Sequence, residues 1–119
     1  MAISKKLAIL HTVAGLTSTF QQLCKELMPT VEIYHIVDES LLKNTIREGA
    51  PSPATYRRLA SYLRGAEEAG ADAVLVTCSS MGPCVEASHQ VSSCPELLPS
   101  TLEPALLRQF LHRVHASIG

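Results

Sequence analysis

Ala73-Val74-Leu75-Val76 is an unbroken apolar run of 4 residues, set between Gly70 and the polar stretch Thr77-Cys78-Ser79-Ser80. It is too short for a helix, and without polar alternation it must be hidden on both faces. A strand of that kind needs helices above and below the sheet, and crossovers that bring parallel neighbours alongside it. Two earlier segments supply those neighbours. Leu7-Ala8-Ile9-Leu10 is a second short apolar run with polar flanks. Val31 to Val37 is rich in β-branched residues with partial alternation.

Helical patterns fill the intervals. Leu16, Phe20, Leu23, Cys24 and Leu27 repeat at helical spacing, which predicts a helix over Thr17–Met28 capped by Thr17 or Ser18 and ended by Pro29. Asp38–Glu48 places Leu41, Leu42 and Ile46 on one side, with Asp38 read as an N-cap in preference to half of an acid pair with Glu39. Pro51 and Pro53 break the chain before a helix over Ala54–Ala69, whose stripe is Leu59, Ala60, Leu63 and Ala66. Arg57, Arg58, Arg64, Glu67 and Glu68 face away from that stripe, and Gly70 suits the position after the helix end. Pro83 suits the start of a further helix.

This alternation predicts an α/β fold: an open, mostly parallel layered sheet flanked by helices. Residues 1–90 form the lobe. Residues 91–119 form an atypical C-terminal segment: Val91–Ser100 has no strand period, and Thr101–Ile118 is a final helix with Leu107, Phe110, Leu111, Val114 and Ile118 on one face. A sheet of only three strands leaves one side open to being uncovered, and the apolar face of the last helix favours a homo-oligomer.

With 119 residues there is room for one core, and 46 % hydrophobic content is enough to order it. The net charge of -1, with scattered Lys and Arg, points away from nucleic acid. Aromatics at 4 %, with no Trp, leave no obvious platform for stacking bases or sugars. No apolar run reaches membrane-spanning length. The basic start at Lys5-Lys6 is followed by an apolar stretch too short for a secretion signal, so a cytoplasmic protein is expected. Cys24, Cys78, Cys84 and Cys94 are then read as free thiols, since their spacing fits no zinc template even with His89 between.

Ligands of open α/β sheets bind beyond the carboxyl ends of the strands. Thr12–Leu16, Asp38–Ser40 and Thr77–Gly82 fall there, and the last places a thiol among hydroxyls between a buried strand and a helix start. The positive end of a helix favours an anion and lowers a thiol pKa. No basic residue lies in the segment, which suits a small carboxylate better than a polyphosphate, and no glycine-rich nucleotide motif is present. Cys24 and Cys84 read as core, and His11 and His35 as structural histidines at strand positions, with His11 nearest the site. His112 and His115 accompany Arg113 on a solvated helix face.

Val74-Leu75-Val76-Thr77-Cys78-Ser79-Ser80-Met81-Gly82-Pro83 resembles the first cysteine motif of the aspartate/glutamate/hydantoin racemase superfamily. Ile9-Leu10-His11-Thr12-Val13, the segment His35–Leu42 and the helix end Glu67–Ala73 are similar to its cofactor-independent members, so the resemblance covers roughly residues 5 to 88. It implies two facing lobes, each with a cysteine, that move a proton at the substrate Cα without pyridoxal phosphate or metal. Cys78 then matches the first-lobe catalytic cysteine. Thr77, Ser79 and Ser80 match the turn holding the substrate carboxylate, and Thr12 the loop lining the cleft. From about His89 the chain departs from the family and no second cysteine motif follows, so a first lobe alone is expected. Three functions follow: a racemase-type isomerase acting on Asp, Glu or a hydantoin through a site completed by self-association; a non-catalytic carboxylate-binding or interaction module; and a cysteine hydrolase or redox protein. The last is disfavoured because no histidine lies near Cys78 in sequence and no C-x-x-C is present.

Overall fold

The computed structural model describes residues 4–88, 96–97 and 104–118. The chain runs β1 (Lys6–His11), α1 (Leu16–Leu27), β2 (Glu32–Val37), α2 (Glu39–Glu48), α3 (Pro53–Glu68), β3 (Ala73–Val76), a 3-10 turn (Ser79–Met81), α4 (Gly82–Ser88), β4 (Glu96–Leu97) and α5 (Pro104–Ile118). The sheet order is β2-β1-β3-β4 and every pairing is parallel. The α/β layered architecture is therefore as expected.

Alternation along the strands sorts the core into two clusters. Ala8 and Leu10 of β1 and Val74 and Val76 of β3 face α2, α3 and α4, where they meet Leu41, Leu59, Leu63, Met81, Cys84 and Val85. Leu7, Ile9, Ala73 and Leu75 face the other way, onto Phe20, Cys24 and Met28 of α1 and Leu107, Leu111, Val114 and Ile118 of α5. Both faces of β1 and β3 are thus covered, which is why those strands read as continuous apolar runs. β2 is an edge strand and only half-buried.

Several expectations need correction. α1 starts at Leu16 with Gly15 at its cap, so Thr17 and Ser18 do not cap it. The backbone is already turning at Val13, since the Leu16 and Thr17 amides donate to Val13 and Ala14 carbonyls. α3 starts at Pro53, where the missing proline N–H costs nothing, and Ser52 caps it through the Thr55 amide. The stretch read as lacking a strand contains β4, whose two residues are too few to show any period. The α1 face of the sheet is not left bare: α5 lies on it, and Arg108 of α5 reaches Glu26 of α1 at 3.0 Å. The remainder of 91–103, including Cys94, lies outside the described residues.

The connections are short and locally specified. Asp38 caps α2, and Gly49 ends it at φ 84°, a conformation that favours glycine. Gly70 does the same after α3 at φ 93°, with the Gly70 amide on Glu67 O and the Ala71 amide on Ala66 O. That pair of bonds satisfies helix-end carbonyls and aims the chain into β3. No helix among the described residues is long and apolar enough to cross a membrane.

If α5 is an integral layer, Leu111→Ala should destabilise the fold by about 2–5 kcal/mol, because Leu111 is fully buried. Leu106→Ala, on the exposed side of the same helix, should change stability by less than about 0.5 kcal/mol. Urea denaturation of the two variants checks this.

Candidate functional site

β1 and β3 lie side by side, yet the chain leaves β1 for β2 on one flank and returns from β2 to β3 on the other. The connections that follow their carboxyl ends therefore lead to opposite flanks, β1 toward β2 and β3 toward β4, and such a switch point is where open α/β sheets form a crevice. Thr12 follows β1 there, and Thr77 through Ser80 follow β3. The ladders extend to this edge: the Thr77 amide donates to Leu10 O at 3.0 Å, and the Asp38 amide to His11 O at 3.0 Å.

Two rows of side chains result. Carrying the strand alternation one residue past each end puts Asp38, Thr12 and Cys78 on the side of α2–α4. The core contacts agree: Cys78 lies in the cluster with Leu10, Val76, Met81 and Cys84, and Asp38 bonds to residues of α3. The row below, with His11 and Thr77, faces α1. Strand parity thus sets Thr12 with Cys78 on one side, and the bond to His11 turns the Thr77 side chain to the other. Thr12 and Thr77 are buried, and Ser79 and Ser80 are exposed on the 3-10 turn. Cys78 is 8 % exposed, against 1 % for Cys84 and 0 % for Cys24. Burial pushes the Cys24 thiol up to about 11 and raises that of Cys84 as well, so both are poor sources of thiolate.

Asp38 does more than cap α2. Its Oδ1 accepts from the Ser40 amide at 2.9 Å and from Ser40 Oγ at 2.6 Å. Its Oδ2 accepts from Arg58 Nη2 at 2.6 Å and from the Tyr62 hydroxyl. Desolvation alone would raise this carboxyl, but the hydrogen bonds from Ser40 and Tyr62 and the Arg58 charge outweigh it and hold it below its ordinary value. The expected cap is confirmed, and Arg58 joins it instead of facing solvent alone. This cluster ties the end of β2 to α3.

On the other side runs a chain that the sequence reading missed as a unit. Thr77 Oγ1 lies 2.9 Å from His11 Nδ1, His11 Nε2 lies 2.9 Å from His35 Nδ1, and His35 Nε2 lies 2.8 Å from Gln21 Oε1. The imidazoles stack with centroids 5.1 Å apart, and Phe20 meets His11 edge-on at 5.6 Å. The signal was present in the parity: His11 and His35 fall on the same face of adjoining strands, two residues out of register. Burial, then the proximity of His35, lowers His11 to about 4, and burial lowers His35. Both rings are therefore neutral near pH 7.

Among the described residues no group of three or more His, Cys, Asp or Glu side chains is placed to hold a metal. A groove of about 440 Å³ lies between α1 and the start of β2, lined by Gln21, Cys24, Lys25, Met28, Pro29, Val31 and Ile33. It sits toward the amino end of the edge strand, away from Cys78, and shares only Gln21 with the hydrogen-bonded chain. No protein-family model, curated protein or solved structure matches this chain.

The histidine pair makes acid stability predictable. Unfolded His11 takes up its proton near 6.5, and the native residue only near 4. The native state binds fewer protons in that window, so stability is full above about pH 6.5 and falls as pH drops toward 4. The loss attributable to His11 is about 3 kcal/mol. Denaturant titrations across the window should show this slope, and His11→Gln, which does not titrate there, should remove most of it.

Proposed function

We propose that this chain is a small-carboxylate-binding α/β lobe that uses the Cys78 thiol for proton transfer at a substrate Cα, in the manner of the aspartate/glutamate/hydantoin racemases. The observation that carries the reading is the convergence of Thr12 and the Thr77–Ser80 loop at the switch point between β1 and β3. A Cα–H beside a carboxylate is a very weak acid. Its removal needs fixed donors at the carboxylate and an aimed base. The exposed hydroxyls of Ser79 and Ser80 supply donors at the rim, Thr12 supplies one on the Cys78 side and Thr77 one from the α1 side, and Cys78 is the most exposed of the three described cysteines. The substrate class is a small amino dicarboxylate, or a hydantoin whose ring carbonyl takes the carboxylate's place on those donors, and on this reading the chemistry needs no cofactor.

Inverting a centre takes a second proton donor on the opposite face. Cys24 lies across the sheet from Cys78, and Cys84 is buried in the same cluster. Neither opposes Cys78 across a cleft. The reading therefore assigns the second acid to another copy of the chain, in a cytoplasmic homo-oligomer where thiols stay reduced.

The packing of Cys78 among Met81, Cys84 and Val85 favours a second reading, a carboxylate-binding module without turnover. Proton exchange separates the two. Incubation with L-aspartate, L-glutamate or a hydantoin in D2O should place deuterium at Cα, and Cys78→Ser should slow this by about a hundredfold or more. Carboxylate-dependent thermal stabilisation without exchange selects the binding module. Neither effect with any of the three compounds refutes both readings.

A further inference from the structure

Each link of the Thr77–His11–His35–Gln21 chain joins two heteroatoms at 2.8–2.9 Å. A hydroxyl carries one hydrogen and a neutral imidazole carries one N–H, so the direction of any one link dictates the others. In the first direction Thr77 donates to His11 Nδ1, His11 Nε2–H donates to His35 Nδ1, and His35 Nε2–H donates to the Gln21 carboxamide oxygen. That is the orientation in which Gln21 is found, with Oε1 toward the ring. A half-turn of the carboxamide presents its NH2 instead and reverses every link. His11 Nδ1–H then donates to Thr77, whose own proton is released toward the Leu10 carbonyl, 3.3 Å away. The depressed pKa of His11 keeps its ring in the neutral form that this rule requires.

We propose that this chain is a polarity-switched relay, in which the exposed Gln21 carboxamide decides whether Thr77 spends its hydroxyl proton on His11 or offers it to a carboxylate at the strand ends. The Leu10 carbonyl is the longer and weaker acceptor of the two open to Thr77, so a charged oxygen arriving in the crevice would take its place. Gln21, His35 and His11 are positioning residues: they act through Thr77. The relay itself stands on the hydrogen-bond geometry, and only its coupling to a ligand rests on the carboxylate reading above.

Gln21 is exposed, so substitutions there test the relay without disturbing the core. Gln21→Glu supplies only an acceptor and Gln21→Lys only a donor. With 15N-labelled histidine at about pH 8.5, above the ordinary histidine range, NMR should show both rings protonated at Nε2 in Gln21→Glu and both at Nδ1 in Gln21→Lys. His11 in the same tautomer in both variants overturns the relay. Calorimetric titration with L-aspartate then tests the coupling. Gln21→Lys should bind about tenfold or more tighter than Gln21→Glu, and this ratio should shrink when Thr77→Val is added to both. An undiminished ratio would trace the effect to surface charge and overturn the coupling. Tautomers that switch while no variant binds L-aspartate, L-glutamate or a hydantoin would uphold the relay and refute the carboxylate reading.

Discussion

The pairing of β1 with a parallel neighbour on each side is the constraint from which the rest of the molecule follows. Lys6 to His11 is bonded to β2 throughout, and Leu7 to Leu10 to β3 as well. With its backbone polar groups committed in the plane, the strand can bury Leu7, Ala8, Ile9 and Leu10 completely. The crossovers must then pass on opposite faces, α1 on one and α2 with α3 on the other. The same pairing brings the ends of β1 and β3 into line, and so brings Thr12 beside the Thr77–Ser80 loop.

Strand parity then separates two chemistries that are adjacent in sequence. Thr77 and Cys78 are consecutive on nearly extended backbone, so their side chains depart to opposite faces. One enters an imidazole chain and the other an apolar cluster beneath α3 and α4. Reading the hydroxyls and the thiol as one collar around an anion treats the loop as a point. The sheet makes it a ridge, with Ser79 and Ser80 on its crest, and a ligand seated over it would meet both sides.

What was legible in the sequence follows the same physics. The three main strands and the helices α1, α2, α3 and α5 declare themselves because each buries a stripe or a run long enough to show a period, whereas the seven residues of α4 are announced by Pro83 alone. β4 does not, since two residues carry none, and its identity depends on β3 having a free edge. Asp38 was recognisable as a cap from its position before Glu39–Glu48. Its bonds to Arg58 and Tyr62 were not, because they join residues 20 and 24 positions apart through the packing of α3 on β2. His11 and His35 were each assigned to strands, but joining them required the register of the β1–β2 pair.

The polar chain between β1, β2 and α1 is difficult to account for by stability alone. A buried imidazole held neutral lowers acid stability, and each hydrogen bond returns only about 1 kcal/mol net. An apolar side chain of similar volume at His11 would pack against Phe20, with another at His35 beside it, and the pair would remove the acid weakness. The relay must also be complete to be tolerated, since removing one member leaves buried donors or acceptors unpaired. An interior need has no reason to extend as far as an exposed glutamine, nor to finish on the one threonine that opens the loop bearing Cys78. Those two ends, one in solvent and one at the switch point, are what a device for setting the hydrogen-bonding role of Thr77 requires.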